Sequence, residues 1–418
     1  MNETLDVVVV GAGLAGLACA RELGGHGLDV RVLEASDAVG GRVRSDHVDG
    51  FTLDRGFQVL NTGYPELPRF VDLADLDLRA FDPFLAVHLD GQRVTLGNPL
   101  QRPTSLPTLL TVPVGGLYGQ LATGVYAGQC VALPTRRLRN RPDVSSAEAW
   151  RSAGIPTDMV NGILRPFFSG VLLEQGMTSS RRFTDLMIRM FALGRSTVPA
   201  KGMQQLPERI ASALPDGTVV LSTPVSRIDS RHVETLDGRV SARAVVVSTD
   251  PWTAAALLPD RMEVPQPRGV TTVYHSAPDF PEASATLLLD ADSSPLANTI
   301  ALSAAAPEYA PAGRVLISSS MVHGSVPDDV DGPEVRRALA RLHGTDTSQW
   351  ELIATYDLPH ALPGMPAPHP MRKPVRLSYD GDWVYVAGDH RDTSSLQGAL
   401  VSGRRTANAV LDDLGVRR

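Results

Sequence analysis

Cysteine is almost absent from the chain, which carries only Cys19 and Cys130 among 418 residues. The two lie far apart and outside any CxxC pair, so neither a disulfide framework nor a thiolate zinc site organises the fold. The ten histidines form no HExxH and no pair four residues apart, and no metal site is expected. Aromatic residues are scarce, at 5%. No basic block marks a phosphate-backbone footprint and the formal net charge is -7, which argues against nucleic acid as a partner. A long unbroken hydrophobic run is also missing. Pro103 to Thr135 carries no charge, but Pro103, Pro107, Pro113, Gly115, Gly116, Gly119 and Pro134 interrupt it, along with Gln120 and Gln129. Such a run does not span a bilayer. It reads as buried or surface-apolar helices, with peripheral docking on a membrane as the alternative. No charged-then-apolar leader precedes the first strand, so the expected setting is reducing and cytoplasmic.

What is present suits a globular protein: 43% hydrophobic residues, 37 glycines and 32 prolines without a fixed period. The length predicts two or three domains. Leu5 to Val10 (LDVVVV) is a continuous apolar run of the kind found in a parallel strand buried on both faces. It runs into Gly11-Ala12-Gly13-Leu14-Ala15-Gly16, a GxGxxG, and then into a helix with Leu14, Leu17, Ala18 and Leu23 at helical spacing. A second strand, Asp29 to Leu33, stops at Glu34. The chemistry explains the residue types. Gly11 permits the tight turn, Gly13 lets backbone approach a pyrophosphate, and Gly16 allows close helix–sheet packing. The helix N-terminus offers unpaired N–H groups to phosphate. Glu34, 18 residues beyond Gly16, is placed to accept from ribose hydroxyls and to repel a 2′-phosphate.

After Glu34 and Ala35 comes Val39-Gly40-Gly41-Arg42, a second glycine pair that a simple nicotinamide dehydrogenase does not need. It lets backbone pass under a larger cofactor, with Arg42 near the pyrophosphate. The whole stretch VVVVGAGLAGLACARELGGHGLDVRVLEASDAVGGRVRS resembles the N-terminal signature of the flavin-containing amine oxidase superfamily, which includes monoamine oxidases, protoporphyrinogen oxidases and phytoene desaturases. Near the other end, the strand Trp383 to Ala387, then Gly388-Asp389 and the helix SSLQGALVSGRRTANAVL, is similar to the superfamily's C-terminal flavin motif. A third segment, Pro199 to Pro207, is similar to its "GGM..LP" return, with Lys201-Gly202 in place of two glycines.

The resemblance implies an α/β fold, with a Rossmann-like FAD-binding domain (residues 1–63, 199–263 and 373–418) and a discontinuous α+β substrate-binding domain (64–198, helical and loop-rich, and 264–372). It implies non-covalent FAD, since no late cysteine stands near the flavin segments. The expected contacts are Gly11, Gly13, Leu14, Ala15 and Gly16; Glu34 and Ala35; Gly40, Gly41 and Arg42; Gly56, Phe57 and Gln58 alongside the isoalloxazine; Val225 by its backbone at the adenine; Gly388 and Asp389; and Ser395, Leu396, Gln397 and Ala399 around the N-terminus of the last helix. That helix end would stabilise the charge of reduced flavin.

No side chain is assigned as an essential acid or base. His390 and Gln58 are the candidates, with Arg55, Arg391 and Asp392 nearby in sequence. Arg165 to Val171 and Thr178 to Ser180 look most like the protoporphyrinogen oxidase and desaturase side of the superfamily. Thr393 to Gln397 holds no aromatic residue to cage an amine. The expected function is oxidation of a small organic molecule by hydride transfer to flavin N5, with desaturation of an apolar or polycyclic substrate favoured. Amine oxidation is the alternative within redox chemistry; a non-redox isomerase or FAD-binding scaffold is the alternative outside it. Dioxygen or a quinone-like molecule is the expected acceptor.

Overall fold

The computed structural model describes residues 4–417 other than 106, 109–111 and 293. Its first sheet is built around Leu5–Val10, whose Val7, Val8 and Val9 have no exposed surface. Val30–Leu33 pairs in parallel on one side and Gly238–Val247 on the other, and Asp382–Val386 adds in parallel beyond. The registers align Val10 with Leu33 and with Val247, and Val247 with Val386. Four parallel strands therefore end side by side. The turns that leave them carry Gly11 to Gly16, Glu34, Ser248 to Asp250 and Gly388-Asp389 at one carboxyl edge, where open α/β sheets bind ligands. An antiparallel arm, Val225–Ile228, His232–Thr235 and Gly238–Val247, extends the same sheet.

Helices Leu14–Gly25 and Leu396–Asp413 pack against each other beside this sheet. Small residues make the approach possible. A Cβ on Gly403 would lie 2.3 Å from Ala15 O of the first helix; separately, one on Gly16 would lie 2.0 Å from Gly11 O and 2.4 Å from Ser248 Oγ, so Gly16 seats that helix on the sheet.

A second, seven-stranded sheet runs in the order Glu351–Pro363, Pro267–Pro278, Arg314–Val322, Asn298–Ala301, Leu287–Asp290, Phe84–Leu89, Gln92–Gly97. All neighbours are antiparallel except Leu287–Asp290 with Phe84–Leu89. The last two strands correct the sequence reading, which took this insertion as helical and loop-rich. Their alternating residues and the Asp90-Gly91 turn are a hairpin signal that the uncharged stretch after it obscured. One face of the sheet buries Val273, Ile317 and Met321 against Val335, Leu339 and Leu342 of helix Pro333–His343. The other face carries Tyr274 and Ile300 into the main core. Pro103 to Thr135 contains a 17-residue helix, Gly116–Ala132, and no helix among the described residues is long and apolar enough to cross a membrane.

Asp54 ends the short antiparallel pair Ser45–Val48 and Phe51–Asp54 and ties it to the seven-stranded sheet. Its Oδ1 accepts from Ser45 Oγ (2.6 Å) and Met203 N (2.9 Å), and its Oδ2 from Tyr309 Oη (3.0 Å). Tyr274 of the seven-stranded sheet donates to its backbone oxygen (2.8 Å). Burial outweighs these donors and pushes the carboxyl pKa up to about 6.

Two predictions follow from this packing. Gly403→Ala should cost about 1–3 kcal/mol or more in thermal or denaturant unfolding, because backbone must shift, whereas Gly24→Ala, with nothing within 4 Å of the added carbon, should gain about 0.5 kcal/mol. For Asp54, the folded pKa lies above the ordinary 3.8, so the native state binds this proton more tightly than the unfolded chain does. Stability from this group is fully present below that ordinary value and is lost as pH rises through about 6. Between pH 4 and 7, the stability difference between wild type and Asp54→Asn should move toward the variant by about 2 kcal/mol. A difference that does not change with pH would contradict this.

Candidate active site

The glycine turn presents bare backbone. Gly11 has φ +100°, a conformation that only glycine adopts readily. Gly13 caps the helix without a side chain, and a Cβ there would meet nothing within 4 Å. The amides of Leu14, Ala15 and Gly16 begin the helix with no intrahelical acceptor and point their positive dipole end at the open side. The second glycine pair closes directly on this turn: Gly40 N donates to Ala12 O (2.9 Å), and a Cβ on Gly41 would lie 3.5 Å from Gly13 Cα. Two glycine-rich turns thus meet face to face, as a pyrophosphate cradle requires.

Glu34 is buried and organises its neighbours. Its Oε2 accepts from Ala12 N (2.7 Å), while Oε1 accepts from Ser36 N (2.9 Å) and Ser36 Oγ (2.6 Å). The strand end around Ala35 meets the segment before Val225. Thr223 N donates to Glu34 O (2.8 Å), and Ser222 N to Ser36 O (2.9 Å). Residues more than 180 apart in sequence are thereby brought together at the expected adenosine end.

At the other end of the cleft, Gly388 has φ +150°, and Asp389 turns its Oδ1 to Arg42 Nη2 (2.8 Å). Arg42 Nη1 donates to Ala361 O (2.8 Å) in the strand Glu351–Pro363. Helix Leu396–Asp413 starts just beyond. Ser395 Oγ caps Gly398 N (3.1 Å), which leaves the Leu396 and Gln397 amides without intrahelical acceptors. The Ala399 amide differs, being spent on Ser395 O. The Gln397 side chain also looks elsewhere, accepting from Glu66 N (3.0 Å).

Gly56 and Phe57 pass beneath the seven-stranded sheet. Gly56 has φ +87°, and a Cβ on it would lie 2.9 Å from Leu358 Cδ1. By register Val270 stands opposite both Val322 and Leu358, so all three share the sheet face that Gly56 meets. Leu173 joins them, held at φ +51° where helix Arg165–Leu172 ends, and Ala361 and Leu362 pack at the edge. This apolar cluster was not foreseen, since its members come from four separated segments.

The polar candidates divide sharply. Gln58 Nε2 donates to Arg42 O and Arg55 O (both 2.9 Å), so its amide holds the turn. Arg55 grips Asp46 with two hydrogen bonds of 2.9 Å, turning away from the cleft to a surface pair. Asp392 is fully buried among Arg405 (3.3 Å), Arg139 (3.6 Å) and Arg372 (3.7 Å), a junction of loops. Arg391 donates to Pro374 O, and burial followed by Arg405 pulls its pKa down to about 10. His390 alone stays buried with no hydrogen bond to either ring nitrogen among the described residues. Burial first, then the positive charges of Arg391, Arg42 and Lys373, pulls its pKa down to about 3. The imidazole is neutral at physiological pH and has no proton to give as an acid, but it keeps one N–H and one lone pair free.

These features fit FAD: helix amides without intrahelical acceptors beside two apposed glycine turns, a buried carboxylate at the second strand, a second helix N-terminus and an Arg–Asp pair between them. The sequence matches the family described as flavin containing amine oxidoreductase over residues 14–411. Putrescine oxidase of Kocuria rosea is 33% identical over 242 residues, covering 53% of this chain and 49% of that protein. Protoporphyrinogen oxidase 2 of Arabidopsis thaliana is 38% identical over 108 residues, covering 26% of this chain and 21% of that one. The chain spans about half the length of the first curated relatives it matches. Among solved structures, the fold is similar to a putative protoporphyrinogen oxidase from Exiguobacterium sp. 255-15 (TM-score 0.72, 18% identity, 99% of this chain and 100% of that one). It is also similar to wild-type putrescine oxidase bound to putrescine (TM-score 0.68, 20% identity, 98% and 99%). The chain belongs to the flavin-containing amine oxidoreductase family.

Proposed function

We propose that residues 1–63, 199–263 and 373–418 hold FAD non-covalently, and that 64–198 and 264–372 seat an apolar or polycyclic substrate that loses hydride from carbon. Bound FAD supplies the hydride acceptor at N5. The residues of this chain contribute position and a dry environment. Gly56 and Phe57 would help to hold the cofactor's ring system. Leu173, Val270, Val322 and Leu358 exclude water from the sheet side, which strengthens every electrostatic contact within. The Leu396 and Gln397 amides stabilise the negative charge that reduction creates.

The apolar cluster opposite Gly56 is the observation that carries this reading. A protonated amine needs a carboxylate or a ring face. The acidic group next to Leu173, Glu174, already accepts from Arg268 Nη2 (2.8 Å), Thr178 Oγ1 (2.6 Å) and Ser179 N (2.7 Å). No aromatic residue occurs in Thr393 to Gln397. Amine oxidation is the second reading, and the similarity to putrescine oxidase favours it. Dioxygen or a quinone-like molecule takes the electrons in either case. A single GxGxxG unit leaves no second dinucleotide fold for NADPH.

Anaerobic mixing of holoenzyme with five reductants separates these readings: a polyene, a reduced tetrapyrrole, putrescine, cyclohexylamine and NADPH. We expect the polyene or tetrapyrrole to bleach the flavin while the amines and NADPH leave it yellow. Bleaching by an amine would replace the first reading with the second. Rapid bleaching by NADPH would make the protein a reductase or monooxygenase. No bleaching by any of them would favour a non-redox role.

A further inference from the structure

Helix Gly116–Ala132 inverts the usual amphipathic arrangement. Gly119, Tyr126 and Cys130 face the protein, while Leu117, Leu121 and Val125, four residues apart, face outward with Tyr118, Gly124 and Gly128 beside them. The exposed fractions are large: 64% for Leu117, 67% for Tyr118, 56% for Leu121 and 59% for Val125. Of eleven strongly exposed large apolar side chains among the described residues, these four fall within nine consecutive positions, so they form a patch and not a scatter. The helix has no charged residue at all.

The charge around it is as unusual. Residues 91–142 contain six arginines and no acid, in a chain whose net charge is -7. Arg141 and Arg139 are committed to Asp185 and Asp392. Arg136 and Arg137 are exposed in the short helix Thr135–Arg139, which begins as soon as the apolar helix ends, and have no acidic partner among the described residues. Exposed leucines next to unpaired arginines form the two halves of an interfacial anchor: apolar side chains for the acyl boundary and cations for phosphate head groups.

We propose that this face docks on the surface of an anionic phospholipid bilayer, with helix Gly116–Ala132 lying in the plane of the interface. Leu117, Leu121 and Val125 enter the acyl boundary, the Tyr118 ring sits at head-group level, and Arg136 and Arg137 hold lipid phosphates. The helix is about 25 Å long and lies along the membrane without crossing it. A second copy of the chain is the competing occupant. This segment offers a second copy no acid to meet Arg136 and Arg137, whereas an anionic bilayer offers both of them phosphate. The proposal holds whichever substrate is oxidised.

Sedimentation of holoenzyme with phosphatidylcholine vesicles, with and without phosphatidylglycerol, tests it. Wild type should pellet with the mixed vesicles at low salt, at least tenfold less with phosphatidylcholine alone, and less again in high salt. L121E/V125E should abolish pelleting, and R136E/R137E should reduce it at least tenfold; both should retain wild-type flavin content and solution activity. Failure of wild type to pellet, or pelleting of L121E/V125E like wild type, would overturn the proposal. So would a wild-type dimer, seen by light scattering, that ignores vesicles and that L121E/V125E converts to monomer.

Discussion

The Arg42–Asp389 pair joins two residues 347 positions apart at 2.8 Å, and the architecture of the cleft converges on it. Asp389 follows the fourth aligned parallel strand, and Arg42 follows the second glycine pair. The same guanidinium reaches Ala361 O of the seven-stranded sheet. One side chain therefore ties the second glycine turn, the turn that precedes the last helix and the seven-stranded sheet. The Asp389 side chain is 5% exposed and that of Arg42 is 37% exposed, so water screens the pair from one side only. Removing either partner leaves a charge in a place built for two, which is costly in a partly buried site.

Why the two residues meet follows from register and packing. Val10, Leu33, Val247 and Val386 end level with one another, so every turn that leaves them opens onto the same edge. Gly403 lets the last helix come close to the first, and Gly16 lets the first helix sit against its own glycine turn and Ser248. Asp54 then ties the hairpin that follows the second glycine pair to the seven-stranded sheet through Tyr274, and to Tyr309 beside it. Its raised pKa shows that burial outweighs its hydrogen bonds, so this linkage is favoured when the carboxyl is protonated.

The cofactor motifs were legible because each is local: an apolar strand, a glycine turn and a helix declare themselves within about thirty residues. The structure brings Gly11 to Gly16, Glu34 and Gly388-Asp389 to one carboxyl edge of the sheet, with Gly40 on Ala12, Arg42 on Asp389 and the segment before Val225 on Glu34. What could not be read is long-range pairing. Nothing near Arg42 in sequence names Asp389 as its partner, and the role expected of Asp389 at the cofactor gave no hint of an ion pair. Arg55 and Asp392 stood next to the right motifs, yet their side chains find Asp46 and three arginines. The Phe84–Gly97 hairpin was missed although its alternation is ordinary, because it precedes an uncharged run that drew the reading toward helices. The apolar cluster of Leu173, Val270, Val322 and Leu358 has no signature in any one segment.

Equilibrium binding of FAD to apoprotein carrying Arg42→Met, Asp389→Asn, or both tests most directly whether the two ends of the chain act on one cofactor as a unit. Each single substitution should weaken FAD at least tenfold. The double variant should bind no worse than the weaker single one, because losing either partner disables the other. Wild-type affinity in the single variants, or losses that multiply in the double variant, would contradict the account.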